Sequence, residues 1–238
     1  MTPLERSYHV LLLLAITVLS VGCEKTQKDY FPLSDTGQWK YRTSIQKLDK
    51  TLHQHYIVAN IGHVVMDNET AFVRQTASGN RYYYRRSGNG IQRIGEQAGE
   101  QLQPRVYKQP VTILPFPIDP GNHWQTVSDV KLIESKTFEM RDRLYLQQPV
   151  VRLDYVIESL ADSVTVPAGN WRDCLRVRGT GETTVKVNRG NSNAIIQVET
   201  VRWYAPDVGL VKSERSETSD SEFLKEGRYV MELEEYKL

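Results

Sequence analysis

Val151-Arg152-Leu153-Asp154-Tyr155-Val156-Ile157-Glu158 decides the fold. Val151, Leu153, Tyr155 and Ile157 fall on one parity, with Arg152, Asp154 and Glu158 on the other. Side chains of an extended chain point alternately to opposite faces, so this segment buries one face and wets the other. The same period of two runs through much of the chain. Trp39, Tyr41 and Ile45 alternate with Lys40, Arg42 and Ser44; Thr183, Val185 and Val187 alternate with Thr184, Lys186 and Asn188; Tyr229, Met231 and Leu233 do so near the C-terminus. One solvated face is the mark of antiparallel rather than doubly covered parallel sheets.

Turn residues punctuate these runs at Ser78-Gly79-Asn80, Gly88-Asn89-Gly90, Asn188-Arg189-Gly190-Asn191 and Glu226-Gly227, all tolerant of the positive φ that hairpins require. Strands are predicted at 38–48, 53–66, 70–77, 81–87, 91–97, 128–138, 150–166, 172–187, 194–204, 209–218 and 228–237. The expected class is all-β: a curved antiparallel sheet, half-barrel or open barrel with few short helices. Residues 91–103 and 136–147 are ambiguous between helix and strand. Within 194–204 the apolar parity changes from Ile196 and Val198 to Val201 and Trp203, which predicts a β-bulge near Glu199-Thr200.

A short internal repeat stands apart from the alternation. Phe31-Pro32-Leu33 leads through Gly37 to Trp39, and Phe116-Pro117-Ile118 leads through Gly121 to Trp124. It leaves open two lobes with a junction near 104–124, or one sheet entered twice. The proline-rich stretch 104–124 reads as a connecting segment.

Composition bounds the function. The 238 residues carry 30 Lys+Arg against 29 Asp+Glu, a formal charge of +1. A general nucleic-acid binder needs a basic excess to neutralise phosphates, so nucleic acid is not an expected partner. Charged residues at 25% and the listed hydrophobics at 39% are ordinary for a globular protein.

The N-terminus carries an address. Val10 to Val21 form a charge-free apolar run of twelve residues, about 18 Å as a helix and too short to span a bilayer core of roughly 30 Å. It has the length of a signal-peptide apolar region, and Leu19-Ser20-Val21-Gly22-Cys23 follows. That tail resembles the lipobox of bacterial lipoproteins, with Gly22 and Cys23 matching and Leu19 one place further out than the family's preference. The resemblance implies a signal peptide at 1–22, diacylglycerol on Cys23, a lipidated tether at 23–30 and a β-rich periplasmic domain at 31–238. Glu24, where aspartate would favour the inner membrane, then points to the outer membrane. The membrane is a partner through the acyl chains, since two or more chains anchor stably.

Chemistry-bearing motifs are sparse. Cys174, without a partner once Cys23 is lipidated, reads as a small buried apolar group. His53 and His55 share a strand face, but no further ligand pattern accompanies them, so no metal or cofactor is expected. Arg81-Tyr82-Tyr83-Tyr84-Arg85-Arg86 reads as an aromatic strand with a basic outer face, Tyr82 and Tyr84 opposite Tyr83. Gly179-Thr180-Gly181-Glu182 lacks the Lys-Ser/Thr of a phosphate loop, there is no GxSxG elbow, and no catalytic residue is assigned.

Ser163-Val164-Thr165-Val166-Pro167-Ala168-Gly169-Asn170-Trp171, together with Trp203-Tyr204-Ala205-Pro206-Asp207-Val208-Gly209-Leu210-Val211-Lys212, is similar to uncharacterised bacterial envelope proteins. In them a V-P-A-G-aromatic turn and a W-Y-A-P-x-V-G-x-V-K hairpin recur. The resemblance implies a curved sheet like the half-barrels of lipid-binding envelope lipoproteins. The leading expectation is a non-catalytic module binding an apolar ligand or an envelope partner on a concave face with Trp39, Trp124 and Trp203. A structural accessory subunit without a pocket is the alternative, and a hydrolase with a spatially assembled site the third.

Overall fold

The computed structural model describes residues 28–136, 147–187 and 192–238. Cys23, the apolar leader, the ambiguous 137–146 and the turn residues 188–191 lie outside the described residues.

Twelve strands form one antiparallel sheet, nearly closed and barrel-shaped. In chain order they are β1 (Gln38–Lys47), β2 (Lys50–Met66), β3 (Glu69–Thr76), β4 (Arg81–Ser87), β5 (Gly90–Gln97), β6 (Arg105–Pro115), β7 (His123–Asp129), β9 (Val150–Val166), β10 (Gly169–Lys186), β11 (Asn193–Ala205), β12 (Gly209–Ser219) and β14 (Gly227–Lys237). The two-residue β8 (Glu134–Ser135) and β13 (Leu224–Lys225) pair separately. The sheet order runs β6-β5-β4-β3-β2-β1-β14-β12-β11-β10-β9-β7, so only β6 and β7 are edges. They meet at a seam where the Trp124 indole donates to the Thr112 carbonyl, 3.2 Å away.

Three expectations need correction. Residues 105–115, read as part of a connection, form edge strand β6. Pro110 and Pro115 lack the N–H a central strand must donate, but an edge tolerates them. Of the strand expected at 128–138, the described residues give the end of β7 at Ser128–Asp129, a loop at 130–133 and the short β8 at Glu134–Ser135. The bulge expected near Glu199-Thr200 is absent: β10 and β11 pair in continuous register from Leu175↔Tyr204 to Lys186↔Asn193. The irregularity lies instead between Trp203 and Tyr204, on the β12 side. Polar Thr200 and Arg202 keep the parity of Ala194, Ile196, Val198 and Tyr204, while apolar Val201 and Trp203 take the other face.

The inner face carries the main core. Val151, Leu153, Tyr155 and Ile157 from β9 pack with Leu175, Val177 and Val185 from β10 and Ala194, Ile196 and Val198 from β11. Gly179 pairs with Tyr155, and a Cβ there would lie 2.5 Å from the tyrosine ring, so glycine makes the room the ring occupies. On the far side of that ring Trp124 stacks at 5.2 Å and 14°. A smaller cluster of Ala71, Val73, Tyr83 and Ile94 is separate.

A proline-bearing strap closes the end where the chain enters. The Asp207 amide donates to the Asp29 carbonyl (2.7 Å), and the Asp29 amide donates to Asp207 Oδ1 (3.1 Å). Arg86 donates to Asp29 Oδ2 (2.7 Å) and the Phe31 carbonyl (3.1 Å). Both halves of the repeat converge here: Phe31, Phe116 and Ile118 border one small cavity of about 150 Å³. At the opposite end, fully buried Glu217 accepts from the backbone amides of Lys131, Leu132 and Ile133 and pairs with Arg215 at 2.7 Å. One carboxylate thus fixes the loop after β7.

Candidate functional site

Beside the aliphatic core, one part of the interior between these ends is built from tyrosine and arginine. Tyr41 on β1, Tyr56 on β2, Tyr84 on β4, Tyr155 on β9 and Tyr204 on β11 surround Arg74 on β3 and Arg202 on β11. Their placement follows from register: Arg74 faces Asn60 and Tyr82 on its neighbouring strands, Tyr84 faces Phe72 and Arg93, and Arg202 faces Val177 and Ser213.

Arg74 is held firmly. Its Nε donates to Asn60 Oδ1 (2.8 Å) and its Nη2 to the Pro32 carbonyl (2.6 Å), while the guanidinium lies 4.1 Å from the Phe31 ring centre and 4.7 Å from that of Trp39. Asn60 Nδ2 in turn donates to the Ser34 carbonyl at 2.9 Å. Arg74 therefore ties the strap to the barrel wall. Arg202 lies 5.2 Å from the Tyr155 ring centre, with the Tyr204 phenol beside it. Arg93 sits 5.5 Å from Tyr82 and 5.6 Å from Tyr107.

Burial sets the electrostatics. Desolvation pushes the phenols of Tyr41, Tyr56, Tyr84 and Tyr204 up, with nearby arginines opposing it, so all four are neutral donors at neutral pH. Desolvation lowers Arg74, and it also acts against the charged form of Arg202, where Tyr155 and Tyr204 outweigh it and raise the value. Guanidinium values start so high that both stay charged. Both groups are enveloped by protein, yet each retains accessible surface.

The residues singled out in the sequence scatter over this frame. Trp39 is core, its indole donating to the Val208 carbonyl at 2.8 Å. Trp124 stands at the seam, and Trp203 lies on the outer face, donating to Asp162 Oδ2 at 2.9 Å beside Arg176 and Lys212. The three do not share a concave face, because the unbroken β11 register turns Trp203 away from Tyr204. Tyr82 and Tyr84 lie opposite Tyr83, as alternation predicted. Cys174 is buried, with its thiol pushed up to about 11 by burial and by Asp162 and Asp173.

His53 and His55 are exposed on β2, and His55 Nε2 lies 3.2 Å from Glu234. No group of three or more potential metal ligands occurs among the described residues. His63 Nδ1 meets Asp35 Oδ1 at 2.8 Å on the surface, and among the described residues no hydrogen bond joins it to a serine hydroxyl. Arg74, Arg93 and Arg202 were missed because each stands in a strand where charge reads as a solvated face. The available signal was Arg202 itself, which holds the inward parity of Ile196 and Val198 in unbroken register.

The DUF3108-like family model matches residues 156–222, from within β9 through β12 and just beyond. That stretch contains Gly179, Arg202, Tyr204 and Glu217. No curated protein matches the sequence. Among crystal structures, a candidate lipoprotein from Parabacteroides distasonis ATCC 8503 shares 17% identity at a TM-score of 0.37, over 88% of this chain and 99% of that one. A candidate exported protein with a YmcC-like fold from Bacteroides fragilis NCTC 9343 shares 12% at 0.39, over 89% and 100%. A DUF1329 family protein from Desulfovibrio piger ATCC 29098 shares 12% at 0.27, over 100% and 93%. These likenesses are too distant to transfer a function.

Proposed function

We propose that the chain is a lipid-anchored envelope protein whose barrel interior holds an apolar ligand without transforming it. The anchor rests on Leu19-Ser20-Val21-Gly22-Cys23, with Glu24 favouring the outer membrane. The chain enters the fold at the strapped end, so a short tether from Cys23 sets that end nearest the bilayer, and we place the domain on the periplasmic side.

One observation carries the binding reading: the interior is walled by aromatic rings from five or more strands, and deep groups among them keep accessible surface. A barrel packed only for stability fills that space with aliphatic side chains, as β9, β10 and β11 do elsewhere. Ligand sites are concave and mostly apolar, with a few placed polar groups, and this interior has that make-up. The second reading, an accessory subunit docked to an envelope partner, draws on a polar outer groove of about 630 Å³ beside Arg152, Asp154, Glu182 and Glu199.

Native mass spectrometry of the protein extracted from its own membrane tests both. A retained lipid-sized mass is the expected result; a co-purified protein with no small molecule favours the second reading, and a bare chain counts against each. Cys23→Ser should release the protein from the membrane, and continued retention would defeat the anchor.

A further inference from the structure

We infer that the interior takes an amphipathic anion, a carboxylate or phosphate headgroup on an apolar body, with Arg93 and Arg202 receiving the charge and the surrounding tyrosines the body. This rests on the binding reading above and names its ligand class.

The contrast between inner and outer arginines carries it. Arg42 pairs with Glu232 (3.0 Å), Arg86 with Asp29 (2.7 Å), Arg176 with Glu158 (3.0 Å) and Arg228 with Glu214 (3.0 Å). Among the described residues no carboxylate ion-pairs with Arg74, Arg93 or Arg202. Arg74 has carbonyl acceptors and a structural task. Arg202 has one phenol and one ring face, and Arg93 has two ring faces, its buried Nε lacking any hydrogen-bond partner. The carboxylate next to Arg93, Glu96, is engaged by Tyr107 at 2.7 Å and by Arg105.

A buried cation without a counter-charge is costly, and a ring face offsets only part of that. Each guanidinium carries five donors suited to a two-oxygen anion. Tyr84 is a common neighbour of all three arginines, which draws their fields toward one region. The hydroxyl of Tyr84 is neutral at working pH and can donate there. A surface cavity of about 440 Å³ at the end opposite the strap includes Tyr82, the ring beside Arg93, and offers an approach.

The test titrates the full chain, held in a non-ionic detergent, with palmitate, with hexadecanol as its neutral counterpart, and with inorganic phosphate, following tryptophan emission. Palmitate should bind about tenfold or more tightly than hexadecanol, the scale of one charge-assisted hydrogen bond. Arg202→Gln and Arg93→Gln should each remove most of that preference and leave hexadecanol affinity unchanged. Arg202→Lys should keep it, which separates loss of charge from loss of fold. Equal wild-type affinity for palmitate and hexadecanol overturns the headgroup assignment while leaving an apolar-binding barrel in place. Binding of neither overturns both. Inorganic phosphate that binds as tightly as palmitate and displaces it overturns the amphiphile in favour of a free anion.

Discussion

Glu217 gathers an unusual number of obligations onto one side chain. It is wholly inaccessible, accepts three consecutive backbone amides and neutralises Arg215, which itself donates to Ser128 Oγ (3.1 Å) and the Asp129 carbonyl (2.8 Å). Removing one member of a buried charge pair leaves the other uncompensated, at about 3–5 kcal/mol. Glu217→Ala should therefore lower the melting temperature by roughly 6–20 °C for a domain of this size. Glu217→Gln keeps an acceptor and should cost less. Equal losses for the two would mean that the negative charge, not the volume or a single acceptor, is what the loop requires. Gly179 shows the opposite economy, contributing by lacking an atom so that Tyr155 can lie flat between it and Trp124.

The strap from Asp29 to Thr36 depends on groups far away in sequence. Asn60 is its pivot, because it accepts from Arg74 and donates to the Ser34 carbonyl, and Trp39 packs beneath. Asn60→Ala should free the strap without unzipping the sheet, seen as faster chymotryptic cleavage at Tyr30 or Phe31 while the free energy of unfolding falls by only about 1–3 kcal/mol. Cleavage at the wild-type rate would place the strap's anchorage in Arg74, Arg86 and Asp207 rather than in Asn60. This element also marks the reach of sequence reasoning. Alternation made β1, β4, β9 and β12 readable to within a residue or so, because one wet face forces a period of two. It failed at β6, where prolines suit an edge that only the closed topology reveals, and at Arg202. There a charge on an inward position looks like a slipped register until the partner strands are known. The candidate site was hidden for the same reason: its chemistry is arginine and tyrosine on a face that pattern alone assigns to aliphatic side chains.

Closure is the property of the whole molecule on which the interior depends. Ten of the twelve strands have hydrogen-bonded neighbours on both sides, and the remaining two, β6 and β7, face each other across the seam. Prolines 110 and 115 keep β6 from offering a full row of amide donors there. Trp124 bridges the gap instead, with its ring on Tyr155 of β9 and its N–H on Thr112 of β6. Trp124→Ala should forfeit about 3 kcal/mol, the lower range for truncating a buried aromatic, but its more telling effect is where that loss appears. Amide exchange should quicken along 105–115 and 123–129, while β10 to β12, paired on both sides, keep their protection. Trp124→Phe, which retains the stacking and loses the hydrogen bond, should fall between the two. Uniform acceleration around the sheet would show that the barrel opens only by global unfolding and that the seam is no weaker than its ladders. Exchange confined to β6 and β7 would make the seam the barrel's own hinge, and would give a ligand a second way in beside the mouth near Tyr82.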